Sequence, residues 1–115
     1  MPPEKNNSAY LWDMLEAVKL IIQFTEGISQ EKYLLDRKLQ LAVERALEIM
    51  GEAARHVTAD FQTSHREIPW KKVIGQGNIL AHEYGEIRQE RIWAVITSHI
   101  PALKKNLEPL IPKIR

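Results

Sequence analysis

The chain has 115 residues, which is room for one hydrophobic core and not for two. Sixteen Lys and Arg stand against fifteen Asp and Glu, a net charge of +1, so any hold on nucleic acid must come from a local basic patch. The absence of cysteine excludes disulfides, thiolate metal sites and cysteine nucleophiles, and no apolar run approaches the roughly 20 residues of a membrane helix. The polar, proline-rich start is unlike a signal peptide, and a cytoplasmic protein is expected.

From Ser8 to about Glu26, apolar residues recur at Leu11, Leu15, Val18 and Ile22, the three-and-four spacing of an amphipathic helix, with Ser8 as its cap. Gly27 breaks this helix, and Ser29 with Glu31 can start another. Whether a further break falls near Asp36 is left open by the pattern. Leu35, Leu39, Ala42, Val43, Ala46, Met50, Ala53 and Val57 then trace a long central helix whose alanines permit close approach of a neighbour. Gly51 inside it costs up to about 1 kcal/mol against alanine unless close packing compensates.

The polar stretch from Thr58 to Glu67 reads as a loop, although Ser64 and Glu67 have the spacing of a capping box. Pro69 is suited to the first turn of a helix beginning Trp70-Lys71-Lys72-Val73-Ile74. Ile92, Ile96, His99, Leu103, Leu107 and Leu110 form a last stripe that Pro101 should kink or end. No segment alternates with the period of a strand. The expected architecture is therefore all-α, an up-and-down bundle of four to five helices forming one domain over residues 1–115, with flexible ends at 1–7 and 109–115.

The sequence Asn78-Ile79-Leu80-Ala81-His82-Glu83-Tyr84 carries more functional groups than packing needs. It is not a zincin motif, because Glu86 stands where the second histidine belongs, and no metal or other cofactor is expected. Gly75 and Gly77 fail as a dinucleotide fingerprint, since Leu80 replaces the third glycine and no strand precedes them. Arg45, Glu48 and Glu52 have the spacing of a charge-paired helix surface, with Arg45 alternatively free to grip phosphate. The pairs Lys71-Lys72 and Lys104-Lys105 read as solvated charge, and His99, on an apolar stripe, as a satisfied core or interface residue.

Residues 77–84, Gly77-Asn78-Ile79-Leu80-Ala81-His82-Glu83-Tyr84, resemble the core motif of the HEPN ribonuclease toxins of the HepT type: an arginine, four to six residues, then His-x-Tyr. Arg45-Ala46-Leu47-Glu48-Ile49-Met50-Gly51-Glu52-Ala53-Ala54, Ile68-Pro69-Trp70 and Ile74-Gly75 extend the likeness in the family's order. The chain departs from the motif at its arginine, which is Gly77 here; Gln76 and Gly75 are not basic either. By helix propensity alone, arginine at 77 should be better than glycine by about 0.5–1 kcal/mol.

The resemblance implies a HEPN-like bundle and a homodimeric, metal-independent endoribonuclease acting on transfer or messenger RNA. It implies His82 and Asn78 as catalytic positions, with Gly77 marking the missing arginine and activity impaired accordingly. It further implies the toxin half of a toxin-antitoxin pair, silenced when an MNT-type nucleotidyltransferase adenylylates Tyr84. The alternative is a non-catalytic dimeric partner and substrate of that nucleotidyltransferase.

Overall fold

A computed structural model describes residues 7–82 and 88–111, the side chains of 79–82 excepted. Every regular element among these residues is helical: α1 (Asn7–Thr25), α2 (Gln30–Leu35), α3 (Arg37–Arg55), α4 (Ala59–Ser64), α5 (Trp70–His82), α6 (Gln89–Ser98), α7 (Ile100–Leu107) and a 3-10 turn at Glu108–Leu110. The bundle has four long arms, with α6 and α7 making up the fourth. Two six-residue helices, α2 and α4, and the division of the last arm bring the number of α-helices among the described residues to seven.

Local chemistry explains most boundaries. Gly27 adopts φ 75°, the left-handed conformation that ends α1 at little cost. The Ser29 hydroxyl accepts the Lys32 N–H at 3.1 Å and opens α2. Asp36 is extended, and it closes α2 through its own N–H to the Tyr33 carbonyl while its carboxylate accepts the Leu39 N–H at 3.0 Å to open α3. Ser8 lies within α1 and does not cap it. The expected loop after α3 contains α4, started by the Thr58 hydroxyl accepting from Phe61 N–H and by Asp60 in the first turn. That helix presents no fully buried residue, so it has no apolar stripe to betray it.

Helix α3 is the centre, packed most extensively against α5 on one side and α1 on the other. Its buried arc is therefore wider than one stripe: Leu47 and Ala54 join Val43, Ala46, Met50 and Ala53, whereas Leu35, outside the helix, is 84% exposed. Helices α1 and α3 run antiparallel, with the Asn7 side chain exchanging two 3.1 Å hydrogen bonds with Thr58. On α1 the core residue is Ile21, with Ile22 half-buried beside it.

The last arm corrects one expectation. His99 sits at the α6–α7 break and is exposed, while Ile100 is buried with Ile96, Leu103 and Leu107. At the break ahead of Pro101 the buried position is Ile100 and not His99, while Leu103 and Leu107 keep their places on the stripe.

A polar network ties α2, α3 and α6 together beneath the surface. The buried Tyr33 hydroxyl donates to Gln89 Oε1 at 2.8 Å, and Gln89 Nε2 donates to Glu44 at 2.6 Å. Arg37 pairs with Glu44 at 3.2 Å, and buried Gln40 donates to the Tyr33 and Leu34 carbonyls. Burial pushes the Tyr33 hydroxyl pKa well above its ordinary value, with Glu44 adding to the rise and Arg37 opposing it.

Candidate functional site

The position where the motif calls for arginine lies at the crossing of α3 and α5. Gly77 is buried against Gly51: a Cβ built on Gly51 would lie 2.8 Å from the Gly77 Cα and 3.0 Å from the Val73 carbonyl oxygen. A Cβ on Gly77 would lie 2.9 Å from the Gly51 Cα. The two helices thus touch backbone to backbone, which compensates the propensity cost of Gly51. The same contact corrects the propensity argument at 77. There, any side chain must push α5 away from α3, and overpacking of this kind costs about 1–3 kcal/mol, more than helix propensity returns.

Beside this crossing a groove of about 570 Å³ opens between three helices. Tyr10 and Asp13 come from α1, Arg45, Glu48, Ile49, Glu52, Ala53 and, at its end, His56 from α3, and Gly77 with Asn78 from α5. The motif positions 77 and 78 are therefore brought together with Arg45. His82 is the last residue of α5, one turn beyond Asn78, so the two fall on one row of the helix. Tyr84 lies outside the described residues.

Charges in the groove are partly spoken for. The Arg45 guanidinium donates to Glu48 at 3.3 Å, an exposed pair worth at most about 1 kcal/mol and readily exchanged for another anion. Glu52 accepts from Arg55 at 2.8 Å and lies 3.0 Å from His56 Nε2. Those two hydrogen bonds, Arg55 first, hold its carboxyl below the ordinary glutamate range. The His56 ring stacks on Tyr10, centroids 5.1 Å apart and 19° from parallel. Three carboxylates, Asp13, Glu48 and Glu52, thus share the groove with the single guanidinium of Arg45.

Sequence reading missed Tyr10, Asp13 and His56 as groove residues. For His56 a signal existed, since it follows Glu52 by four and Ile49 by seven on the helical face of Arg45. For the α1 residues there was none, because only the antiparallel pairing of α1 and α3 brings them there.

A chain with this motif sequence, whose residues Gly77, Asn78 and His82 lie on the fifth helix of an all-helical bundle, matches a known family. The model of that family, described as Ribonuclease HepT-like, matches residues 14–110. A probable ribonuclease HepT of Thermococcus cleftensis is 39% identical over 107 residues, 93% of this chain and 97% of that protein. A candidate RNase of Methanocaldococcus jannaschii is 35% identical over 105 residues, 91% and 96% of the two chains. Another, of Caldanaerobacter subterraneus, is 34% identical over 109 residues, 95% and 97%. No solved structure matches the chain. The chain belongs to the HepT-like ribonuclease family. No helix among the described residues is long and apolar enough to cross a membrane.

Proposed function

We propose that the chain is the ribonuclease-type toxin of a HEPN/MNT pair, acting as a cytoplasmic homodimer on RNA and slowed by glycine at position 77. The observation that carries this reading is the convergence of Gly77, Asn78 and Arg45 on one groove, in a member of the HepT-like ribonuclease family. In the reaction the RNA 2′-hydroxyl attacks the adjacent phosphorus and the bond to the 5′-oxygen breaks. The 2′-hydroxyl gives up a proton as it attacks and the departing 5′-oxygen takes one up; His82 serves one of these transfers and water the other, and Asn78 orients the phosphate. An arginine at 77 would neutralise the charge that builds on the phosphoryl oxygens; in this chain Arg45, which lines the same groove, is the substitute.

The homodimer is supported by apolar side chains left exposed on the groove's side. Leu41 and Ile49 share the face of α3 that carries Arg45 and Glu52, and Leu20 and Phe24 share the face of α1 that carries Asp13. Two copies paired across this side would set two motif segments along one cleft. Adenylylation of Tyr84, two residues past His82, would bring phosphate charge into that cleft and exclude RNA. Two observations favour the alternative of a non-catalytic partner modified by a nucleotidyltransferase: Gly77 serves the helix crossing, and three carboxylates line the groove.

Cleavage of total transfer RNA by Gly77→Arg and Gly77→Ala dimers decides between them. Both variants add a Cβ against Gly51, so their steric cost is shared and only arginine adds charge. A positioned donor is worth about 10²- to 10³-fold, so the arginine variant should cut faster than the alanine variant by that order, and His82→Ala should abolish the gain. Equal rates in folded, unmodified dimers would sink the ribonuclease reading of this motif.

A further inference from the structure

A second groove, of about 490 Å³, lies at the other end of α5, and its charge is opposite in kind. Its polar lining is Gln62 and Thr63 from α4, Arg66 from the α4–α5 connection, and Lys71 and Lys72 from the first turn of α5. Among the described residues it is lined by three cations and no carboxylate. Arg66, Lys71 and Lys72 are exposed and make no ion pair among the described residues. The neighbouring Glu67 lines a different cleft, facing α7, which Lys72 also borders, while Arg66 and Lys71 line the basic groove without it.

The register of α5 connects this groove to the candidate catalytic one. Lys71, Gly75, Asn78 and His82 are spaced four, three and four, and so fall on a single row of the helix. Gly75, midway along the row, is open: a Cβ built there meets nothing within 4 Å. Nothing on α5 stands as a wall between Lys71 and Asn78. From Lys71 to His82 the row is about 16 Å long at the α-helical rise of roughly 1.5 Å per residue, a length several nucleotides of RNA would cover.

We infer that the Arg66–Lys71–Lys72 groove is a docking surface for the phosphate backbone of the substrate RNA, holding a strand that runs along the Gly75 row of α5 into the groove beside Gly77. The inference rests on the ribonuclease reading. It resolves an electrostatic difficulty in that reading, because a groove with three carboxylates and one arginine attracts RNA poorly by itself. Phosphates recruited at the basic end deliver the strand to the acid-rich end, and Arg45 then needs to grip only the reacting phosphate.

Binding decides the matter without requiring catalysis. A fluorescein-labelled single-stranded oligoribonucleotide is titrated by fluorescence polarisation against the unmodified parent protein, the Arg66→Gln/Lys71→Gln/Lys72→Gln variant, and a Lys104→Gln/Lys105→Gln control. The three altered side chains are exposed and make no ion pair among the described residues, and circular dichroism should show the parent fold. The triple variant should bind about tenfold or more weakly, and its slope of log affinity against log salt should shrink by about 2, at roughly 0.7 for each phosphate no longer neutralised. The control should keep the parent's affinity. If the triple variant retains the parent's affinity and slope, the docking surface is wrong while the ribonuclease reading stands. If the triple variant and the control weaken binding alike, the effect is one of net charge and the docking surface is again wrong. If the parent fails to bind RNA at low salt, both fall. Should RNA binding survive but retention of a co-expressed nucleotidyltransferase be lost, the groove belongs to a protein partner and the inference is overturned.

Discussion

The two grooves on α5 differ in how they are built. The basic one sits on exposed side chains at a helix start that make no ion pair among the described residues, where changes of charge cost the fold little. The one beside Gly77 sits on a backbone contact between two glycines and on side chains paired to each other. A surface assembled from solvated cations can be tuned freely, whereas a site resting on a helix crossing is coupled to the packing of the bundle. Gly77 belongs to both at once: it lines the groove and closes the crossing.

That coupling predicts the largest effect. Gly51→Ala places a Cβ 2.8 Å from the Gly77 Cα and 3.0 Å from the Val73 carbonyl, so α5 must move away from α3. The expected loss is about 1–3 kcal/mol, or a fall in melting temperature of about 4–8 °C per kcal/mol for a domain of this size. Cleavage should fall more steeply than RNA binding, because Gly77 lies at the crossing itself with Asn78 next to it, whereas part of the basic groove is carried by α4 and the α4–α5 connection. Equal losses in both would mean that the two grooves are not mechanically distinct.

The start of α6 is held by different means again, through the network of Tyr33, Gln89 and Glu44. Tyr33→Phe removes the hydroxyl and leaves Gln89 Oε1 without its donor, which should cost about 1–2 kcal/mol in chemical denaturation. Because the folded-state pKa of Tyr33 is raised, its contribution is fully present below the ordinary tyrosine value near 10 and is lost as the pH climbs above it. The parent protein should therefore lose stability above about pH 10 more steeply than Tyr33→Phe does. Parallel stability curves in alkali would show that Tyr33 ionises as freely in the folded protein as in the unfolded chain.

Much of the fold was legible because α1, α3 and the last arm write their packing in three-and-four spacing, and because Gly27, Ser29 and Pro69 punctuate the chain with specific backbone chemistry. Helix α4 was not legible, since a polar six-residue helix held by Thr58 has no buried stripe. His99 was misplaced because at the break before Pro101 the buried position is Ile100, a local change that periodicity extended across a break cannot reveal. At the candidate site the motif, and with it Gly77 and Asn78, could be found by resemblance, but only as an arginine replaced. That Gly77 meets Gly51 across 26 positions of sequence, and that Tyr10 and Asp13 arrive from the first helix, are tertiary facts with no local sequence signature.

The smallest expected effect is the most direct probe of the acid-rich groove. Glu48 pairs with Arg45 at 3.3 Å, and the Arg45 side chain is 69% exposed. Glu48→Gln removes one of the three groove carboxylates and frees the guanidinium for phosphate. As the pair is solvated and lies within one helix, the change should cost only a few tenths of a kcal/mol of stability. RNA binding should tighten by about two- to threefold at low salt, the scale of one charge acting through solvent-exposed surroundings. The gain should fade as ionic strength rises and the screening length drops to roughly 8–10 Å. It should also persist in the Arg66→Gln/Lys71→Gln/Lys72→Gln background, because the two grooves contribute separately when they are far enough apart to be independent. Weaker RNA binding by Glu48→Gln would reverse the picture, for it would mean that Glu48 acts by positioning the Arg45 guanidinium for its phosphate and not by competing with the phosphate for it.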